Sequence, residues 1–240
     1  MFRHGDKVVD DLSAKGFKQM ELKGKTTEIA GNRIKGYYSP WLRAEQSVET
    51  MASALAAEAV HPDFRKKLTR EKSELDYKPF SEIGLKLFKE KGGVSWYYKL
   101  GDQRPDPDTL SPNELASRAA TVLDSQIRMI GRLKDGSAIN LANASHSPTM
   151  DVLLLRLMRD EFDKSPINAE GKDELEKMGG PLGTAEGFDV EAKTDNQGVL
   201  SAVLKFRGKE LPVNLRKLRE LAEEYQELGY GIENNSEAPE

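Results

Sequence analysis

The chain opens MFRHGDK, so one of only three histidines sits in Arg3-His4-Gly5, close to the start. A neutral imidazole is a competent nucleophile near neutral pH, because its ordinary pKa lies around 6.5. Two further polar groups share the same setting, a turn that follows a strand-like run. They are Arg43 in SPWLRAEQS and His146 in ASHSPT. In a parallel sheet such turns converge at the carboxyl ends of the strands, where ligands bind. Brought together, Arg3, His4, Arg43 and His146 would supply two guanidiniums and two imidazoles. Arginine presents planar forks of donors to phosphate or carboxylate. The SPT turn after His146 would add helix N-terminal N–H groups and a favourable dipole end. The inferred ligand is a compact anion carrying oxygens on several sides, and a phosphoryl group fits best.

The elements that must position these groups are legible from local chemistry. RIKGYY (33–38) has strand composition, and the Ser39-Pro40 pair that follows predicts a helix with Ser39 as N-cap and Pro40 at its first position. AEQSVETMASALAAEA (44–59) is rich in helix formers, and the His-Pro pair at 61–62 should end it. SPNE (111–114) reads as a capping box that opens a long amphipathic helix. AINLANA (138–144) suits a buried strand, and SHSPTMDVLLLRLMRDEF (145–162) reads as strand end, turn and proline-started helix. GFDVEAKT and VLSAVLKFRG flank DNQG as a β-hairpin, and LRKLRELAEEYQEL (215–228) is an amphipathic helix. Alternating strands and helices predict an α/β domain, a three-layer α/β/α sandwich around a mostly parallel sheet. We expect one domain over 1–232 and a frayed polar tail over 233–240. Two long stretches interrupt the rhythm, 75–108 and 166–187. Segments of that length either cover substrate or, for Trp96, Tyr97 and Tyr98, pack into a satellite core.

Composition narrows the partners. With 240 residues, 38% hydrophobic and 32% charged, the chain has the balance of a soluble globular protein. The longest apolar run, VLLL at 152–155, is far too short to span a bilayer. Net charge is −4 with both signs interspersed, which leaves no footprint for nucleic acid or anionic lipid. The absence of cysteine excludes disulfides and thiol nucleophiles and is compatible with a cytoplasmic location. No signal peptide is visible. No His/Asp cluster at ligand spacing is present, so neither metal nor cofactor is expected.

RHGD (3–6), LSAKGFKQM (12–20), YYSPWLRAEQSVETMA (37–52) and ASHSPTMDVLL (144–154) together resemble the successive signatures of the histidine phosphatase superfamily, the phosphoglycerate-mutase-like fold. The resemblance runs from residue 1 to about residue 160, and the C-terminal hairpin fits more loosely. It implies that His4 attacks phosphorus and is transiently phosphorylated, while Arg3, Arg43 and His146 clamp the phosphoryl oxygens. It also implies a carboxylic acid that protonates the leaving group, in the window LTREKSELDYKPFSEIG (68–84). Glu71, Glu74, Asp76 and Glu82 are all available there. ELDYK (74–78) matches best, so Glu74 is the first choice and Glu71 the second. The plain alternative for a Lys/Glu-rich stretch is a solvated face. His61 has no comparable setting and reads as surface.

Two departures stand out. The family carries a full apolar strand before RHG, and here only Met1 and Phe2 precede it. We therefore expect a truncated chain, a misassigned start, or a catalytic turn held in an unfamiliar way. In addition, Lys7-Val8-Val9-Asp10 stands where relatives place polar residues, and Lys7 could take over an anion contact. The implied activity is hydrolysis of a phosphate monoester, on a small phosphorylated substrate or a phosphoprotein. The alternatives are mutase-type transfer, for which the acid motif with its following His-Tyr-Gly is absent, and a non-catalytic phospholigand-binding scaffold.

Overall fold

In the computed structural model, residues 1–29, 33–58, 69–76, 80–158 and 179–227 are described. The tail at 233–240, His61 and the first part of the 166–187 stretch lie outside them. Four strands form a parallel sheet in the order β1-β6-β4-β5, where β1 is Phe2–Arg3, β4 Ile34–Tyr38, β5 Thr69–Glu71 and β6 Asn140–Ser145. A short hairpin, β2 (Lys7–Val8) with β3 (Asp11–Leu12), follows β1. An antiparallel unit, β7 (Asp189–Thr194), β8 (Leu200–Phe206) and β9 (Lys209–Pro212), matches the expected hairpin and adds a third strand.

Period-two alternation in β6 divides the layers. Ala142 and Ala144 face one way, into a cluster with Phe2, Leu12, Met20, Ala44, Val48 and Met51. That side is covered by α1 (Ala14–Thr26) and α2 (Leu42–Glu58). Asn143 is buried between them in sequence and exchanges two amide hydrogen bonds with Gln126, at 2.7 and 3.0 Å. Gln126 belongs to α5 (Pro112–Met129), which with α6 (Ser147–Met158) and α7 (Leu215–Glu227) contributes to the main core. Three layers result, helices on both faces of a mostly parallel sheet. No helix among the described residues is long and apolar enough to cross a membrane.

The 75–108 stretch folds into α3 (Glu82–Glu90), α4 (Val94–Tyr97) and 3₁₀ turns. Tyr97 and Tyr98 are fully buried and join the main core, where Phe80, Phe88 and Tyr97 pack as an aromatic cluster. The capping box forms as expected: Glu114 N donates to Ser111 Oγ (3.2 Å), and Ser111 N to the Glu114 carboxylate (2.7 Å). The other predicted cap does not. α2 starts at Leu42, after a turn closed by Trp41 N donating to Ser39 O (2.6 Å). The Ser39 hydroxyl bonds to His146 instead.

The short β1 is held from both sides. It pairs with β6, and on its other edge Arg3 N donates to Glu186 O (2.8 Å) and Phe188 N to Met1 O (2.9 Å). Behind the turn that follows, Gly5 and Gly16 bring two backbones together. A Cβ at Gly16 would lie 2.0 Å from Asp6 O, and one at Gly5 2.8 Å from Gly16 O. The glycines of RHG and LSAKG are therefore a steric pair. We expect Gly16→Ala to destabilise the fold by about 2 kcal/mol in urea denaturation. Gly131→Ala, where nothing lies within 4 Å, should be close to neutral.

Candidate active site

The register of the sheet assembles the site. Arg3 sits opposite Ser145 across the β1–β6 ladder, so the next residue on each strand is a histidine. The two rings lie edge to face with centroids 5.1 Å apart. His4 N donates to Ser145 O (3.1 Å), and Ala185 N donates to His4 O (3.1 Å), so the backbone of the turn is pinned on both sides. Both imidazoles are buried.

His4 is oriented by its own turn. Its Nδ1–H donates to Gly5 O at 2.7 Å, which leaves Nε2 as the ring's acceptor nitrogen. Arg43, from the first turn of α2, points its Nε–H at that same Nε2, 3.3 Å away. Burial chiefly pushes the His4 pKa down, to about 4, and the positive charges of Arg43, Arg3 and Lys7 add to the effect against the raising influence of the Gly5 carbonyl. His146 is held well below its ordinary value by burial first, then by His4 and Arg43. Both rings are thus neutral at physiological pH.

Further contacts hold these groups in place from behind. Ser39 Oγ shares a hydrogen bond with His146 Nε2 at 2.8 Å, which is why it does not cap α2. Ser47 Oγ donates to Arg43 O (2.6 Å) and accepts from Gly5 N (3.2 Å), tying α2 to the His4 turn. The Arg43 guanidinium stacks on the Trp41 ring, 4.3 Å from its centroid, while Trp41 also stands edge-on to His146. Trp41 Nε1 in turn donates to the buried Asp76 carboxylate (2.7 Å). Asp10 of the β2–β3 turn pairs with Arg43 at 3.1 Å. Val9 in that turn is exposed and takes a positive φ of 56°, an unfavourable backbone for a β-branched residue. Lys7 stands exposed on the same hairpin, its pKa lowered first by desolvation and then by Arg43.

Arg3 is aimed by a single strong contact, NH1 donating to Leu182 O at 2.8 Å. Its Nε is buried without an acceptor among the described residues. Burial lowers the guanidinium's pKa, with Arg43 adding to the fall and Asp151 opposing it.

The carboxylate candidates separate. Glu71 lies on β5 opposite Tyr38 and is exposed. Glu74 is half-buried in the 3₁₀ turn Ser73–Leu75 that leaves the carboxyl end of β5. That turn is stitched to the histidine strand, because Ser145 Oγ donates to Leu75 O at 2.6 Å. Asp76 is committed to Trp41, and exposed Glu82 begins α3. The motif residues Arg3, His4, Arg43 and His146 therefore converge, with Glu74 carried by a turn tied to the same strand end. Ser39 and Asp76, weighed in the sequence as a helix cap and a proton donor, turn out to hold His146 and Trp41, while Ser47, Trp41 and Asp151 are what sequence reading misses. Only their adjacency to motif residues could have flagged them.

No protein-family model matches the chain, and no curated protein sequence does. Solved structures do match. A mycobacterial hydrolase is 13% identical with a TM-score of 0.57, covering 88% of this chain and 98% of that one. The mycobacterial glucosyl-3-phosphoglycerate phosphatase in complex with VO3 is 13% identical at a TM-score of 0.54, with 86% and 96% covered. A histidine-to-alanine mutant of phosphoserine phosphatase from Entamoeba histolytica, in complex with phosphoserine, is 14% identical at 0.51, with 90% and 96% covered. The fold is that of the histidine phosphatases.

The neutral imidazoles give a pH signature for this histidine phosphatase fold. A lowered pKa means that the neutral form persists as pH falls. The ring resonances of His4 should stay those of the neutral form from pH 8 down to about 5, with a midpoint near 4. A midpoint for His4 at the ordinary histidine value, read by NMR titration, would contradict the burial described.

Proposed function

We propose that this protein is a phosphatase that hydrolyses a phosphate monoester through a phosphohistidine on His4. The observation that carries this reading is the geometry at His4 Nε2. It is a neutral acceptor nitrogen in a buried site, with the Arg43 Nε–H donating to it at 3.3 Å and a second imidazole beside it. The assigned roles follow from that arrangement. Nε2 attacks phosphorus in line as the bond to the ester oxygen breaks. Arg3, Arg43 and His146 hold the equatorial oxygens, the buried Nε of Arg3 finding its acceptor there. The Gly5 carbonyl, already bonded to Nδ1–H, stabilises positive charge on the ring as the N–P bond forms. Glu74 gives a proton to the leaving alkoxide and then takes one from the water that attacks phosphohistidine, returning neutral His4 and inorganic phosphate. Positive charge comes from the arginines, so the scheme calls for no metal. Support also comes from two proteins of the same fold, which bear the names glucosyl-3-phosphoglycerate phosphatase and phosphoserine phosphatase. By the same reading the substrate is a small phosphorylated molecule or a phosphoprotein, met in the cytoplasm.

The test is brief incubation with a radiolabelled phosphate monoester, quenched at high pH. Acid-labile label that disappears in His4→Ala supports the assignment. Label passed to an added alcohol in place of phosphate release favours a mutase. Vanadate binding with neither label nor turnover favours a binding protein. Glu74→Gln should lower hydrolysis of an alkyl phosphate by roughly 10²–10⁴ and affect a good leaving group such as p-nitrophenolate far less. Glu71→Gln should leave both rates within about twofold, in line with a solvated surface carboxylate.

A further inference from the structure

Asp151 is a carboxylate with no exposure at all, in the first turns of α6, five residues after His146. An isolated buried carboxylate is expensive, and burial duly raises its pKa to about 6. Its partners are specific. Oδ2 accepts from the hydroxyl of Ser147, the residue next to His146. Oδ1 accepts from Leu182 N at 2.9 Å. The Tyr98 hydroxyl lies alongside, and Arg3 acts on it electrostatically.

The Leu182 peptide is the informative partner, because it is used at both ends. Its N–H is taken by Asp151, and its carbonyl accepts from Arg3 NH1 at 2.8 Å. A carboxylate, a backbone segment and a guanidinium therefore stand in series. The loop that carries Leu182 is fastened elsewhere as well, by Arg207 donating to Gly180 O (2.8 Å) and by Gly183 N donating to Glu186 (2.8 Å). It also supplies the backbone contacts to Arg3 N and His4 O. The Arg3 side chain has no other fixed acceptor among the described residues, so the orientation of the backbone at Leu182 sets where its Nε–H points.

We propose that Asp151 is a positioning residue for phosphoryl binding: through the Leu182 backbone it aims the Arg3 guanidinium at the phosphoryl oxygens, while its bond to Ser147 ties that aim to the strand end carrying His146. This rests on the phosphatase reading above. A buried carboxylate that served only to hold α6 against the loop would matter equally whether or not Arg3 were present.

A double-mutant cycle separates the two. Orthovanadate affinity and the kcat and KM for p-nitrophenyl phosphate are measured for wild type, Asp151→Asn, Arg3→Ala and the double variant, with urea midpoints alongside. Asp151→Asn should weaken vanadate and raise KM by roughly tenfold in the wild-type background, and by less than about twofold once Arg3 is gone. Equal losses in both backgrounds, or no loss in either, overturn the proposal while wild-type activity leaves the phosphatase reading intact. A wild type that neither binds vanadate nor turns over sinks both. Should the asparagine variant not fold, Asp151→Glu, which keeps the charge and displaces the carboxyl group by one methylene, is carried through the same cycle and read in the same way.

Discussion

Everything in the site depends on one register. Phe2 lies opposite Ala144 and Arg3 opposite Ser145, so His4 and His146 leave two parallel strands at the same level. A one-residue slip would turn one of the rings to the other face of the sheet. The pairing spans only two residues of β1, and a strand that short cannot hold register by its ladder alone. It is held instead by contacts on its far edge, from Glu186, Phe188 and Ala185, and by the close approach of Gly5 to Gly16 behind it. The turn that carries His4 is thus clamped by parts of the chain far along the sequence.

Clamping has an electrostatic consequence. Arg3 and Arg43 converge beside two buried imidazoles, and the rings remain neutral. The positive charge of the cluster therefore sits on the guanidiniums, and each ring keeps a lone pair. Under the phosphatase reading proposed above, donors fixed in advance need no reorganisation when charge moves onto the equatorial oxygens. Trp41 beneath Arg43, with Asp76 behind Trp41, and the Leu182 carbonyl behind Arg3 are the contacts that hold the two guanidiniums in place.

Serine chemistry shows where local rules stop. Ser111 caps α5 as its motif predicts, its hydroxyl accepting from Glu114 N. Ser39 stands before a proline in the same kind of motif, yet its hydroxyl goes to His146 and α2 begins later. The aromatic run at 96–98 makes a similar point. A satellite core was one expectation for it, but Tyr97 and Tyr98 enter the main core, alongside residues of α5 and α6.

By itself the sequence determined the alternation of strands and helices, the hairpin near the C-terminus, the capping box, and four residues whose chemistry suits a phosphoryl group. Those are short-range matters of side-chain type, spacing and backbone preference. Which carboxylates remain exposed, which serine faces His146, how a two-residue strand is kept in register, and that Asp151 and Arg3 share the backbone at Leu182 were decided only by tertiary structure. Each is a contact between residues distant in the chain, and burial, which sets both their pKa values and their hydrogen-bond partners, exists only after the layers have closed.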